Sequence, residues 1–192
     1  MVMCGVVIEE DRIDELVALG VKDSKKLSPK KREALFEPLK NNFKHMIVIV
    51  HAADIDIALN SPDLNLNWLE AIHTADVLNE LKPDKAIVDS PSNNKSAYGA
   101  YLGGLLKHKI ELQMEHDAER FAPVAAASIL AKVTRDRIIE ELKKKYGDFG
   151  SGYPSDPKTK KFLEENHEKH KEIFRTSWAS YKKMNQKTLG NY

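Results

Sequence analysis

Three acidic residues stand at or shortly after the ends of predicted strands, the positions where α/β sheets often carry catalytic groups. Asp89 follows the apolar run 86–88, and Asp117 and Glu119 follow the alternating segment 110–115. If these segments are neighbouring parallel strands, the carboxylates lie close enough to bind Mg²⁺ or Mn²⁺, because hard cations prefer oxygen ligands. A pair of such ions activates water and stabilises a leaving oxygen, which is hydrolytic chemistry. Taken alone, Asp89 is explained equally well as a turn residue before the Ser-Pro pair that follows it.

A second set of candidate residues, Ser128, Lys132 and Arg135, lies in the segment 124–146. Their spacing of four and then three positions places them on one face of a helix. That face can contact phosphate groups. The alternative is a helix that simply has one polar, solvated surface.

Basic residues cluster in three places, although the formal net charge of the chain is only +1. The clusters lie at Lys22 to Arg32, Lys143 to Lys145 and Lys158 to Lys161. Basic patches around a carboxylate site suit a phosphate-backbone partner. A lysine run on a helix is more often only a solvated face, and the patches alone favour that interpretation.

Hydrophobic periodicity predicts the elements that hold these residues, because strands repeat every second residue and helices every 3.6. A strand is predicted over residues 2–8, and Ser28 is expected to cap a helix that starts at Pro29. A second helix start is expected at Asp156, with Pro157 in its first turn. The further segments are strands at 46–50, 86–88 and 110–115 and helices at 66–81, 98–106 and 124–146. This order predicts an α/β fold in which strand, helix and strand bracket Asp89 and Glu115.

The composition indicates a soluble globular protein, since 42% of the 192 residues are hydrophobic and 31% are charged. No apolar run approaches the ~18 to 20 residues that a membrane helix needs. The single cysteine, Cys4, excludes an internal disulfide framework and suits a reducing compartment. The cytoplasm is therefore the expected location.

Three motifs in the chain resemble one family. They are Asp-Ser-Lys-Lys-Leu at 23–27, Ala-Ala-Ala-Ser-Ile-Leu-Ala-Lys-Val-Thr-Arg-Asp-Arg at 125–137 and Gly-Ser-Gly-Tyr-Pro-Ser-Asp-Pro at 150–157. In this order, over Val2 to about Lys183, they resemble ribonuclease HII of the archaeal type. The resemblance implies an RNase H-like mixed sheet flanked by helices, with a helical C-terminal region. It also implies a nuclease of DNA replication and repair. Such an enzyme cleaves RNA in RNA·DNA hybrids, or at ribonucleotides embedded in DNA, and leaves a 3′-hydroxyl.

The resemblance assigns roles to individual residues. The family holds Mg²⁺ or Mn²⁺ with four acidic residues, and Asp89 matches the third. For the fourth, Asp117 falls one residue too far from the Ala-Ala-Ser run and Glu119 one residue too close. Asp117 is preferred because its His-Asp-Ala setting resembles the family pattern. Tyr153 matches a tyrosine that packs on the sugar at the RNA-to-DNA junction, and Lys25 matches a lysine close to the backbone phosphates.

The chain departs from the family pattern at its start. The family's first strand ends in Asp-Glu-Ala-Gly-Arg-Gly and supplies the first two acids, whereas Met1–Gly5 resembles the second strand. We therefore expect the central strand to be missing and the chain as written to be inactive or impaired. The alternative is a non-catalytic remnant that still binds nucleic acid and the sliding clamp.

The C-terminal residues resemble a clamp-binding peptide. Gln186, Leu189 and Tyr192 stand at its first, fourth and seventh positions. The resemblance implies docking on the sliding clamp, and the alternative is a plain polar end. Three regions are expected: a catalytic core at 1–146, a helical substrate-binding region at 147–183 and a flexible tail at 184–192.

Overall fold

The computed structural model describes residues 1–179 and 181–182. Four strands alternate with helices along the chain. The strands are β1 (Val2–Val7), β2 (Lys44–Ile49), β3 (Lys85–Asp89) and β4 (Glu111–Glu115). The helices are α1 (Ile13–Ala18), α2 (Pro29–Asn42), α3 (Ala52–Leu59), α4 (Leu66–Leu81), α5 (Lys95–Gly104), α6 (Ala122–Tyr146) and α7 (Pro157–Asn166). The predicted α/β class is confirmed.

The strands form one antiparallel and one parallel pair. β1 runs antiparallel to β2, with Val2 opposite Ile49, and β3 runs parallel to β4. Within the part of the chain that the structure describes, each sheet has two strands. The expectation that a central strand is missing stays a prediction.

Two compact units divide these elements. The first contains residues 2–49 and 66–135, and therefore both sheets, α4, α5 and the start of α6. The second contains Met1, residues 50–65 and the chain from 136 onward, and therefore α3 and α7. The expected regions at 1–146, 147–183 and 184–192 remain predictions.

The first unit is built around two hydrophobic clusters. One joins α1, α2 and the small residues of α6, and the other joins α4 and α5 to the sheet of β3 and β4. Strand β1 lies directly on α4, since a Cβ added at Gly5 would stand 2.5 Å from Val77 Cγ1. Only glycine allows this close approach of strand and helix.

The predicted helix starts are confirmed. Ser28 Oγ accepts a hydrogen bond from the Lys31 amide at 3.3 Å, with Pro29 in the first turn of α2. Asp156 caps α7 in the same way through the Lys158 amide, with Pro157 following. No helix among residues 1–179 and 181–182 has both the length and the apolar character to cross a membrane.

Candidate active site

The candidate site begins where β3 and β4 end side by side. Their register places Asp89 opposite Glu115, and the Ser90 amide donates to the Glu115 carbonyl at 2.8 Å, one residue beyond the ladder. Parallel pairing was the condition for Asp89 to lie near the acidic residues that follow β4, and the structure meets it. Loops that leave the carboxyl ends of parallel strands meet at one sheet edge, which is where α/β proteins commonly bind ligands.

The carboxylate of Asp89 holds the turn that follows β4. Asp89 Oδ1 accepts a hydrogen bond from the Ala118 amide at 3.1 Å, while Ala118 itself is fully buried. Asp89 is exposed. The structure therefore brings Asp89 to the backbone between Asp117 and Glu119, the two candidates for its partner acid.

Asp117 occupies an unusual backbone conformation. Its φ of 52° and ψ of 43° are left-handed, and the residue opens the short 3₁₀ turn Ala118–Arg120. Aspartate is among the few residues other than glycine that enter this region readily. Asp117 is exposed, so its carboxylate is accessible to a ligand from solvent.

Glu119, unlike the exposed Asp117, is partly buried and bonded to protein groups. Its Oε2 accepts a hydrogen bond from the Ser24 amide at 2.6 Å, and its Oε1 lies 3.7 Å from Lys25 Nζ. The Glu119 side chain is only 10% exposed, whereas that of Lys25 is 69% exposed. The structure thus brings Lys25, a predicted phosphate contact, to the turn that also carries Asp117.

The turn at Asp23–Leu27, which we call the Lys25 turn, is held from its other side by Arg32. Arg32 Nη1 donates to the Ser24 carbonyl at 3.0 Å and to the Leu27 carbonyl at 2.7 Å. Arg32 is 7% exposed, so the interpretation of this residue as part of a solvated basic cluster is wrong. Its spacing from the buried Phe36 and Leu39 was the sequence signal for an inward-facing side chain.

Glu115, at the end of β4, is engaged by its neighbours. Its carboxylate accepts hydrogen bonds from Gln113 Nε2 at 2.9 Å and Arg120 Nη2 at 2.7 Å. The bond from Gln113, then that from Arg120, hold the pKa of Glu115 below its ordinary value. Glu115 is therefore held in an ion pair with Arg120 at the end of the strand that lies beside Asp89.

The remaining predicted residues lie on α6 and on the glycine-rich loop. Ser128 and Lys132 are half-buried on α6, next to Ala125, Ala126 and Ala127, which are buried. Their contact with substrate stays a prediction. In the second unit, Tyr153 is 41% exposed. The clamp-binding candidates Gln186, Leu189 and Tyr192 lie outside the described residues.

The carboxylates at the sheet edge are ligands of the type that divalent cations prefer. Asp89 and Asp117 are exposed oxygen donors on adjacent chain segments, as Mg²⁺ or Mn²⁺ requires. Over the described ranges, however, no group of three or more His, Cys, Asp or Glu side chains is arranged to hold a metal ion. The assignment of Asp89 and Asp117 as metal ligands therefore stays a prediction.

Comparison with known proteins gives consistent matches over the whole chain. The family model described as Ribonuclease HII matches residues 1–181. A Ribonuclease HII from Thermococcus sibiricus is 45% identical over 97% of this chain and 85% of its own length. The crystal structure of a ribonuclease H2 from Pyrococcus horikoshii matches with a TM-score of 0.85, at 36% identity and with full coverage of both chains. A PCNA:RNase HII complex from Archaeoglobus fulgidus matches with a TM-score of 0.83, at 36% identity, over 100% of this chain and 92% of that one.

The fold is that of a ribonuclease H-type enzyme. Within that class, the chain belongs to the ribonuclease HII family. The resemblance inferred from the three motifs is confirmed.

Proposed function

We propose that the protein is an endonuclease that cleaves RNA in RNA·DNA hybrids, or at ribonucleotides embedded in duplex DNA, and leaves a 3′-hydroxyl. The observation that carries this proposal is the contact between Asp89 Oδ1 and the Ala118 amide, at 3.1 Å. It joins a strand-end carboxylate to the turn that bears Asp117 and Glu119. The same turn contacts the Lys25 turn, so acidic and basic groups converge as cleavage of a phosphodiester requires.

Each residue has a separate task in this proposal. Asp89 and Asp117, with Glu119 as the alternative to Asp117, supply carboxylate oxygens for Mg²⁺ or Mn²⁺. When bound, such ions activate the attacking water and stabilise the leaving oxygen. Lys25, exposed at the tip of its turn, neutralises a backbone phosphate, and Ser128 and Lys132 contact the backbone from α6.

Tyr153 supplies the recognition of sugar in this proposal. An exposed aromatic ring with a polar tip can pack on a ribose while its hydroxyl stays hydrated. RNA differs from DNA at each sugar by the 2′-hydroxyl, so contacts at the sugar are where discrimination is possible.

A cleavage assay tests the proposal directly. Three labelled duplexes of one sequence are compared: an RNA·DNA hybrid, a DNA duplex with one ribonucleotide and an all-DNA duplex. Each is incubated with Mg²⁺, Mn²⁺ or a chelator. We expect cuts only in the ribonucleotide-containing duplexes and only with metal, and a polymerase should extend the new 3′-hydroxyl. Cleavage of the all-DNA duplex, or cleavage in chelator, would contradict the proposal.

The second candidate function is that of a non-catalytic binding protein, favoured by the lack of a match in residues 1–192 to the family's first two acids. In that case the 192-residue chain binds the hybrid but leaves it intact in every metal. Binding measured by fluorescence anisotropy, next to the cleavage assay, separates the two candidates. Metal-dependent cleavage supports the endonuclease, whereas binding without cleavage in every metal supports the second candidate.

We also propose that the C-terminal residues dock on the sliding clamp. The PCNA complex of the Archaeoglobus fulgidus relative supports this proposal, together with the spacing of Gln186, Leu189 and Tyr192. Replacing all three by alanine should abolish binding to an archaeal clamp in surface plasmon resonance. Replacement of the interspersed Lys187 and Asn191 is the matched control, and equal loss in both variants would count against a specific peptide.

A further inference from the structure

The glycine-rich loop of the second unit has a defined conformation. Gly150 and Gly152 have φ values of 80° and 73°, a region that side chains with a Cβ rarely adopt. Over four residues the chain passes from the buried Phe149, 6% exposed, to Tyr153, 41% exposed. The segment 150–152 is therefore an arch that ends at the exposed tyrosine.

One buried hydroxyl spans this arch. Thr159, in the first turns of α7, is 6% exposed. Its Oγ1 donates to the Phe149 carbonyl at 2.8 Å and accepts from the Gly152 amide at 3.0 Å. Both capacities of the hydroxyl are thus used by backbone groups on opposite sides of the arch.

Asp156 fills the inside of the same arch. Its Oδ2 accepts from the Ser151 amide at 2.7 Å, and its Oδ1 accepts from the Lys158 amide at 2.9 Å. A Cβ at Gly150 would stand 2.6 Å from Asp156 Oδ2, so the carboxylate and the backbone are in close contact. Between them, the carboxylate and the Thr159 hydroxyl bond two consecutive amides of the arch, those of Ser151 and Gly152.

We infer that Thr159 is a positioning residue that sets the direction of the Tyr153 ring and thereby the preference for ribonucleotide-containing duplexes. The amide bonded by Thr159 belongs to the residue directly before Tyr153, so loss of that bond frees the backbone from which the ring projects. Thr159 itself is buried and acts through the loop. This inference rests on the role proposed above for Tyr153.

The test uses a matched pair of substitutions in the full chain. Thr159→Val keeps the shape of the side chain and removes the hydroxyl, whereas Thr159→Ser keeps the hydroxyl. Affinities for a duplex with one ribonucleotide and for the all-DNA duplex are measured by anisotropy in chelator, where no cleavage interferes. We expect T159V to reduce the preference, the affinity for the ribonucleotide-containing duplex divided by that for the all-DNA duplex, by about tenfold. This is the order of one lost aromatic contact. T159S should stay within about twofold of the parent chain.

A double-mutant cycle separates positioning from general destabilisation, because residues that act as one unit give non-additive effects. In a Tyr153→Ala background, T159V should change the ratio no further. The inference would be overturned if T159V changed the affinity ratio equally with and without Tyr153. It would also be overturned if the parent chain preferred the ribonucleotide-containing duplex and T159V left that preference unchanged. A parent chain that shows no preference overturns the proposed role of Tyr153, and this inference with it.

Discussion

Glu119 Oε2 accepts a hydrogen bond from the Ser24 amide at 2.6 Å, a contact between residues separated by 95 positions. Ser24 is 3% exposed, so its amide has little access to water if the carboxylate is removed. The contact anchors the Lys25 turn to the turn that carries Asp117. It is therefore both a stabilising bond and a link between the basic and acidic parts of the candidate site.

The first prediction concerns this bond. Glu119→Ala should lower the free energy of unfolding by about 1 to 3 kcal/mol, the cost of leaving a buried amide without its partner. Glu119→Gln retains an acceptor oxygen and should cost clearly less. Urea denaturation measures both, and Glu80→Ala, at an exposed position of α4, is the control. If E119A were as stable as the parent chain, the bond would not have the role assigned to it.

Replacing each acid by its amide separates the two candidates for the partner acid of Asp89. If a carboxylate binds the metal, its replacement by an amide weakens metal binding. If it only accepts a hydrogen bond, the amide oxygen can still accept that bond and metal binding changes little. We expect Asp117→Asn to weaken Mn²⁺ binding by at least about tenfold and E119Q to change it little. Titration of Mn²⁺ followed by electron paramagnetic resonance measures the affinities. The reverse order would assign the role to Glu119.

A third prediction separates the structural and chemical roles of Asp89. Asp89→Ala should cost about 1 kcal/mol of stability, because the Ala118 amide loses its acceptor. Asp89→Asn retains an oxygen and should be nearly as stable as the parent chain. Both variants should weaken Mn²⁺ binding by at least about tenfold. Asp84→Asn, at the opposite end of β3, is the control and should change neither quantity.

The glycine-rich loop should be sensitive to acid. Hydrogen bonds from the Ser151 and Lys158 amides lower the pKa of Asp156 from 3.8 to about 2. Because the pKa is lower in the folded protein, the contribution of this carboxylate to stability is present above about pH 4 and lost as the pH falls towards about 2. Asp156→Asn should flatten that part of the stability profile, measured by thermal unfolding between pH 2 and 6. The exposed Asp63→Asn variant should retain the slope of the parent chain.

The last prediction concerns Asp56 on α3. Its carboxylate accepts from the Thr176 amide at 2.6 Å, the Thr176 hydroxyl at 2.7 Å and the Ser177 amide at 3.0 Å. Burial raises the pKa of Asp56, but the bonds from Ser177 and Thr176 outweigh it and lower the pKa overall. Asp56→Ala should increase hydrogen exchange at the Thr176 and Ser177 amides by about tenfold or more. Asp54→Ala, exposed on the same helix, should leave exchange there unchanged.

Local patterns in the sequence were sufficient to predict most strands and helix starts around the candidate site. Alternation over residues 110–115 and the apolar run before Asp89 predicted two strands, and β4 and β3 form there. Ser28 and Asp156 were predicted as helix caps because their side chains bond amides a few residues away, a purely local interaction. The family motifs predicted the fold for a different reason, namely their resemblance to known proteins.

Long-range contacts were not predictable in this way. The spacing of Arg32 from Phe36 and Leu39 indicated an inward-facing side chain, but nothing in the sequence identified its partners, the Ser24 and Leu27 carbonyls. The partner of Glu119 lies 95 residues away, and no spacing rule relates the two positions. The left-handed backbone of Asp117 is followed by the contact of Ala118 with Asp89, a residue on β3, and that contact could not be predicted without the strand register.

Two contacts hold the candidate site together, Asp89 with Ala118 and Glu119 with Ser24, and their different separations along the chain bear on the order in which they form. Asp89 and Ala118 are 29 residues apart and belong to one continuous segment of strand, helix and strand. Closing the 95-residue loop to Ser24 costs about 1 kcal/mol more in chain entropy. This difference in loop-closure entropy favours forming the acidic edge before the Lys25 turn docks onto it.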